Sequence, residues 1–227
     1  SGDWSSDVCS SDLSPQGLLS GLFANVEADA IGNGGNVTIN TEGLRLSDGG
    51  QIAAITRGQG DAGSIQVKAT DVELIGISPE GLASGLFTDV RAGAIGNGGQ
   101  LTINTESFRL SDGAQITATT FGQGDAGPMT VQATEIELIG TSSEGLPSGL
   151  FANVEPEAIG DGGNLTINTE RLRITDGAQI TAITRGIGNA GSIEVNATDV
   201  ELIGTTTDLL SAIVANVELD ATGTGGD

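Results

Sequence analysis

The sequence predicts an all-β chain folded as a right-handed parallel β-helix, a β-solenoid with three short strands per coil and about six coils. Three observations predict it. First, a Gly-rich turn, Gly32-Asn33-Gly34-Gly35, returns as Gly96-Asn97-Gly98-Gly99 and Gly160-Asp161-Gly162-Gly163 at a period of 64 residues, with a shortened return at Gly223-Thr224-Gly225-Gly226. Self-similarity at fixed spacing marks a repeat architecture. Second, each unit divides into two similar halves: the run from Gly35 to Leu46 aligns with the run from Gly63 to Leu74 at an offset of 28. Third, each half carries three short stretches of period-two alternation separated by Gly, Asp and Asn turns. Strands that recur once per coil in the same order pair with their own equivalents, in parallel. A β-propeller has a comparable repeat length, but the gaps suit antiparallel hairpins poorly and no blade-like aromatic motif recurs. Dense Gly, Thr, Asn and Val with no persistent 3.6-residue stripe argue against helices.

Taken in order, residues 1–13 (SGDWSSDVCSSDL) stand outside the pattern and hold the only Trp, Trp4, and the only Cys, Cys9. They resemble a translated sequencing adapter and are read as a foreign scar, expected to be disordered. From Ser14 the chain is in register, and residues 14–227 form the repeat array, with units 32–95, 96–159 and 160–222 and partial ends. The array begins and stops inside a repeat, so the chain is expected to be a fragment of a longer protein.

The first half of a unit offers strands at 37–41, 44–47 and 51–56, and the second at 65–69, 72–75 and 86–90. The second half is longer by eight residues, expected mostly in the 76–85 connection. Stacking the coils gives uncharged inward columns. They are Val37, Ile65, Leu101, Met129, Leu165, Ile193; Ile39, Val67, Ile103, Val131, Ile167, Val195; Leu44, Val72, Phe108, Ile136, Leu172, Val200; and Leu46, Leu74, Leu110, Leu138, Ile174, Leu202. The third strand adds Leu22, Ile52, Leu86, Ile116, Leu150, Ile180, Ile213 and a smaller column from Ala24 to Ala215. The outward residue of the second strand reads Arg45, Glu73, Arg109, Glu137, Arg173, Glu201. This ladder alternates charge coil by coil, avoids stacking like charges, and gives a reason for a two-coil period. Phe23, Phe87 and Phe151 face outward, where the 76–85 type of loop is expected to cover them. Asn25, Asp89, Asn153 and Asn216 form a polar column for which amide stacking is the simplest expectation.

Composition narrows the chemistry. Eight Lys+Arg against thirty Asp+Glu give a net charge of −22, which opposes nucleic acid or an anionic membrane as partner. No apolar run approaches the ~20 residues of a spanning helix. The chain has no His and no Tyr, so Ser–His and Cys–His nucleophilic schemes are absent. Asp48, Asp112 and Asp176 follow a strand and precede Gly, which is turn chemistry. They recur once per unit, whereas a catalytic site is needed once. Lys68 is the only Lys, with no basic cluster to hold a sugar acid. Asp61 and Asp125, in Gly-Gln-Gly-Asp-Ala-Gly, are weak calcium candidates; the nonapeptide calcium repeat is not matched, and the third copy carries Asn189. No other cofactor is indicated.

The residues GNGGQLTINTESFRLSDGAQITATTFGQGDAGPMTVQATEIELIGTS, together with LRITDGAQI and SGLFANV, resemble repeats of large filamentous-haemagglutinin-like exoproteins, especially those of cyanobacteria. The similarity covers residues 14–227. It implies a right-handed parallel β-helix, secretion through an outer-membrane transporter barrel of a two-partner system, and an adhesive or structural role at the cell surface. The expected function is a non-catalytic structural stalk of a secreted or cell-surface adhesin, with extracellular glycan or a cell surface as partner. The alternative is a carbohydrate-active β-helix enzyme or a carbohydrate-binding module, whose working residues would break the repeat at one place. Open terminal coils invite edge pairing, so the chain is expected to self-associate end to end.

Overall fold

A computed structural model describes residues 20–204 and 209–226. The adapter-like segment 1–13 and most of the shortened connection at 205–208 lie outside the described residues. The fold is a parallel β-solenoid of about six turns with no helix among the described residues. Each coil contributes short strands to three ladders, as in Val37–Asn40, Gly43–Ser47 and Gln51–Ala53, followed by Ile65–Lys68, Asp71–Ile75 and Gly85–Phe87. Every strand pairs in parallel with its equivalents in the neighbouring coils.

The third strands are shorter than the alternation predicts, ending at Ala53 and Phe87. The chain beyond them pairs only through isolated bridges, such as Thr56 with Val90. In the last coils the first two strands run together as Leu165–Thr175 and Ile193–Ile203, paired across the former corner at Thr169 and Ala197. Three strands per coil therefore holds for the earlier coils and relaxes to two here.

The inward columns are as the alternation sets them. Val37–Ile65–Leu101–Met129–Leu165–Ile193 and Leu22–Ile52–Leu86–Ile116–Leu150–Ile180–Ile213 are consecutive register partners. In the central coils these side chains are sealed from solvent, and they form one continuous core. Each such burial stabilises by about 1.5–3 kcal/mol, and no coil could supply it without a neighbour on each side. The end coils show the converse: Leu22 and Phe23 at one end and Val200 and Leu202 at the other are roughly half exposed.

The register offset between successive coils is 28 residues at Gly43–Asp71, 34 at Gln51–Gly85 and 36 at Gln59–Ile95. Six of the eight extra residues thus lie in the 76–85 loop and two in the turn at 91–94, as expected. The loop is a small hairpin closed by the antiparallel bridge of Ile77 with Ala83. The Ser84 hydroxyl roots it by accepting from Gly49 N–H in the preceding coil, 3.0 Å away.

Two turn positions explain the Gly pattern. At Asp48-Gly49, Asp112-Gly113 and Asp176-Gly177 both residues have positive φ, as a type I′ turn requires, and the residue after Gly donates back to the residue before Asp. In the column Gly35, Gly63, Gly99, Gly127, Gly163, Gly191, Gly226, a Cβ on each Gly from Gly63 onward would collide with the carbonyl oxygen of the one before it. Beside this column, inward positions alternate Val26, Thr56, Val90, Thr120, Val154, Thr184, Val217. The Oγ1 atoms of Thr56, Thr120 and Thr184 are buried there without a hydrogen-bond partner.

Candidate functional site

The outward ladder of the second strand forms as the sequence orders it. Arg45, Glu73, Arg109, Glu137, Arg173 and Glu201 are consecutive register partners. Arg45 bonds to Glu73, Arg109 to Glu137 at 2.7 Å, and Arg173 contacts Glu201 at 3.4 Å and Glu137 at 4.0 Å. The step from Glu73 to Arg109 shares the register without a bonded pair. The Arg side chains are 44–64 % exposed, so each pair contributes only about 0.2–1 kcal/mol. The ladder sets register more than it binds.

The calcium candidates belong to another column. Asn33 Oδ1 accepts from Asp61 N–H, Asp61 Oδ1 from Asn97 N–H, Asn97 Oδ1 from Asp125 N–H, Asp125 Oδ1 from Asp161 N–H, and Asp161 Oδ1 from Asn189 N–H, all at 2.8–3.0 Å. Each side chain caps the backbone of the next coil. Asn and Asp serve equally because one acceptor oxygen suffices. Among the described residues no three His, Cys, Asp or Glu side chains cluster as a metal site. Asp48, Asp112 and Asp176 occupy exposed turns two coils apart, about 10 Å along the axis.

The chemistry of one face is richer. On the outer side of the third ladder, Asn25, Asp89 and Asn153 lie two coils apart and do not stack as amides; Ile55, Thr119 and Ile183 stand between them in register. Each caps the coil above instead. Asn25 Oδ1 accepts from Ile55 N–H, Asp89 Oδ1 from Thr119 N–H and the Thr117 hydroxyl, and Asn153 Oδ1 from Ile183 N–H and the Thr181 hydroxyl. Two residues further on runs a second charged column: Glu27, Arg57, Arg91, Phe121, Glu155, Arg185, Glu218.

At Asn25 and Asn153 the amide and this column cooperate. Asn25 Nδ2 donates to Glu27, which also bonds Arg57; Asn153 Nδ2 donates to Glu155, which also bonds Arg185 at 3.0 Å. Across the boundary of units 32–95 and 96–159 all three positions differ at once. Asp89 takes the place of Asn, Arg91 the place of Glu, and Phe121 the place of Arg. Asp89 Oδ2 meets Arg91 at 3.2 Å, and the Arg91 guanidinium lies 5.5 Å from the centroid of the Phe121 ring. Asp89 is 1 % exposed. Burial pushes its carboxyl above the ordinary range, while Arg91 and the hydrogen bonds from Thr119 and Thr117 pull it back.

Next to this exchange the sheet face carries an open groove of about 260 Å³. Its floor is Thr117, Phe151 and Thr181, and its walls include Phe121, Pro147 and Arg185. Gln115 Nε2 donates to Pro147 O and Gln179 Nε2 to Leu210 O, so the loops brace one wall. The outward phenylalanines behave unequally. Phe87 is buried beside Ala53, Ile55 and the loop's Ala83, whereas Phe151 stays half-buried in the groove and Phe23 is exposed at the end coil.

No protein-family model, curated protein or solved structure matches this chain. The residues that make this face distinctive were partly visible beforehand: Phe121, in the place of Arg57 and Arg185, breaks the repeat in the sequence itself. Its place beside Phe151 follows from the 34-residue register of Ile116 with Leu150, and the expectation that a loop covers Phe151 concealed it.

Proposed function

We propose that this chain is a stalk segment of a secreted or cell-surface adhesin: a non-catalytic solenoid that carries binding regions away from the surface. On this reading an outer-membrane transporter barrel of a two-partner system exports it, and extracellular glycan or a cell surface is what the whole protein meets. The observation that carries the reading is the unbroken register of the ladders through every coil. Length then depends on coil number alone, and the Asp residues open to solvent recur with the repeat instead of converging. The resemblance of the repeats to filamentous-haemagglutinin-like exoproteins supplies the secretion route and the location.

The test is to delete unit 96–159 or duplicate it. Distance between fluorophores at the two ends, or the maximum dimension in X-ray scattering, should change by two coil rises, about 10 Å, with the circular-dichroism spectrum per residue unchanged. The same preparations incubated with neutral and acidic polysaccharides should release no reducing ends. Release of reducing ends that disappears with unit 96–159 would favour the enzymatic alternative and end the stalk reading.

A further inference from the structure

A stalk needs every unit alike, yet the middle unit departs from its neighbours around one groove. Thr119 stands at the position of Ile55 and Ile183, Phe121 at that of Arg57 and Arg185, and Pro147 at that of Ala83. All three of these departures line the 260 Å³ groove. We propose that this groove is a binding site for a short run of a neutral polysaccharide.

The lining selects for an uncharged ligand. The cations are spent: Arg185 is bonded to Glu155 at 3.0 Å and to Glu218 at 3.2 Å, and Arg91 to Asp89. The anions are spent on the same partners, and Asp89 is buried beneath the face. Among the described residues lining the groove no unpaired charge is left to hold a uronate, a phosphate or a basic peptide, and the overall charge of −22 opposes anionic polymers. What remains is two phenyl rings, Phe121 and Phe151, with hydroxyls and amides between them. Gln115 and Gln179 give one amide hydrogen each to loop carbonyls, which leaves both Oε1 acceptors uncommitted. Rings for apolar C–H faces and amides for hydroxyls are the complement of a sugar.

Size agrees. The volume lies just below the ~300–1,000 Å³ of pockets that enclose drug-sized ligands. Gln115 and Gln179 are two coils apart, about 10 Å, so the ligand is longer than one ring and lies along the rod.

The experiment is an NMR titration of the labelled chain with tetrasaccharides of β-1,4-glucan, α-1,4-glucan and β-1,4-mannan, with oligogalacturonate as the charged control. At least one neutral tetrasaccharide should bind, with shifts concentrated in 115–121, 147–155 and 179–185. Phe121→Arg places the side chain of the other units in the groove, with Glu155 in the coil above and Arg91 in the coil below, so its fold is checked by circular dichroism beside Phe121→Ala; both should weaken binding about tenfold or more, whereas Phe121→Tyr should retain it, and Arg57→Phe, outside the groove, should leave it unchanged. The proposal is overturned if no neutral tetrasaccharide binds at millimolar concentration, if oligogalacturonate binds instead, if only a protein partner shifts these residues, or if Phe121→Arg binds as well as the parent. The stalk reading survives any of these outcomes, since it rests on length alone.

Discussion

Arg91→Glu would leave a carboxylate facing the buried Asp89. Breaking a fully buried ion pair costs about 3–5 kcal/mol, whereas an exposed pair is worth about 0–1 kcal/mol. Asp89 is sealed but the Arg91 side chain is 39 % exposed, and Asp89 keeps its bonds from Thr117 and Thr119. The expected loss is therefore about 2–3 kcal/mol, between the two limits. Asp89→Asn alone should cost about 1 kcal/mol, the loss of one charge-assisted hydrogen bond offset by relief of burial. Combining them recreates the Asn–Glu arrangement that the structure holds at Asn25–Glu27 and Asn153–Glu155. The double variant should recover most of the loss, a coupling of about 2 kcal/mol. It still lacks the Arg91–Phe121 contact, worth about 0.5–1 kcal/mol, which adding Phe121→Arg would replace by an ion pair. Urea unfolding followed by circular dichroism measures all four corners of the cycle. Additive losses would refute the reasoning. The pH dependence supplies a second check. Asp89 titrates above its ordinary value of 3.8 when folded, so between that value and its raised one the native state binds more protons than the unfolded state. Stability from this group is present at low pH and lost as pH rises through that window. Stability of the wild type relative to Asp89→Asn should decline over the same interval.

Two further outcomes follow from the ladders. Thr120→Val should stabilise the chain by about 1 kcal/mol, since its buried hydroxyl has no partner and Val90 and Val154 occupy the same column; equal or lower urea midpoints would show that the hydroxyl is satisfied. End-to-end association should appear in sedimentation velocity as mass rising with concentration, because both terminal coils expose apolar side chains. In-register docking of Arg45 above Glu201 also requires the leading third-ladder strand Gly21–Phe23 to give way, because Ala212–Val214 already occupies the equivalent position. A chain that stays monomeric at high concentration would contradict this.

Much of the fold was legible because repetition does the work of an alignment. Once Val37, Ile65 and Leu101 are set in one column, period-two alternation dictates which side chains face inward, and the Arg/Glu order of the second strand becomes a ladder without further assumptions. The corners were harder. The offsets of 28, 34 and 36 residues place the capping columns, and reading only every second coil hid Ile55, Thr119 and Ile183 between Asn25, Asp89 and Asn153. With those in place, amides two coils apart are too distant to stack, and capping of the intervening N–H is what one acceptor oxygen per residue allows. Asp61 and Asp125 are the same case. Read singly they look like ligands, and read with Asn33, Asn97 and Asn189 they are caps.

The coils from Asp89 to Phe121 show what an array of this kind tolerates. Asn and Glu supply one donor and one acceptor; Asp and Arg supply the same two with direction reversed, so Asp89 and Arg91 exchange together and the cap on Thr119 N–H survives. The exchange frees the next position from pairing with an acid, and Phe121 stands where an Arg is otherwise required. A solenoid can thus change the chemistry of its outer face without disturbing its core, provided the change is made as a bonded set within adjacent coils. That constraint explains why the departures at Asp89, Arg91, Thr119 and Phe121 lie together on one face and not scattered along the rod. It also ties the groove's composition to the same rule that sets the two-coil period: polar side chains on this fold answer to the coil above and the coil below.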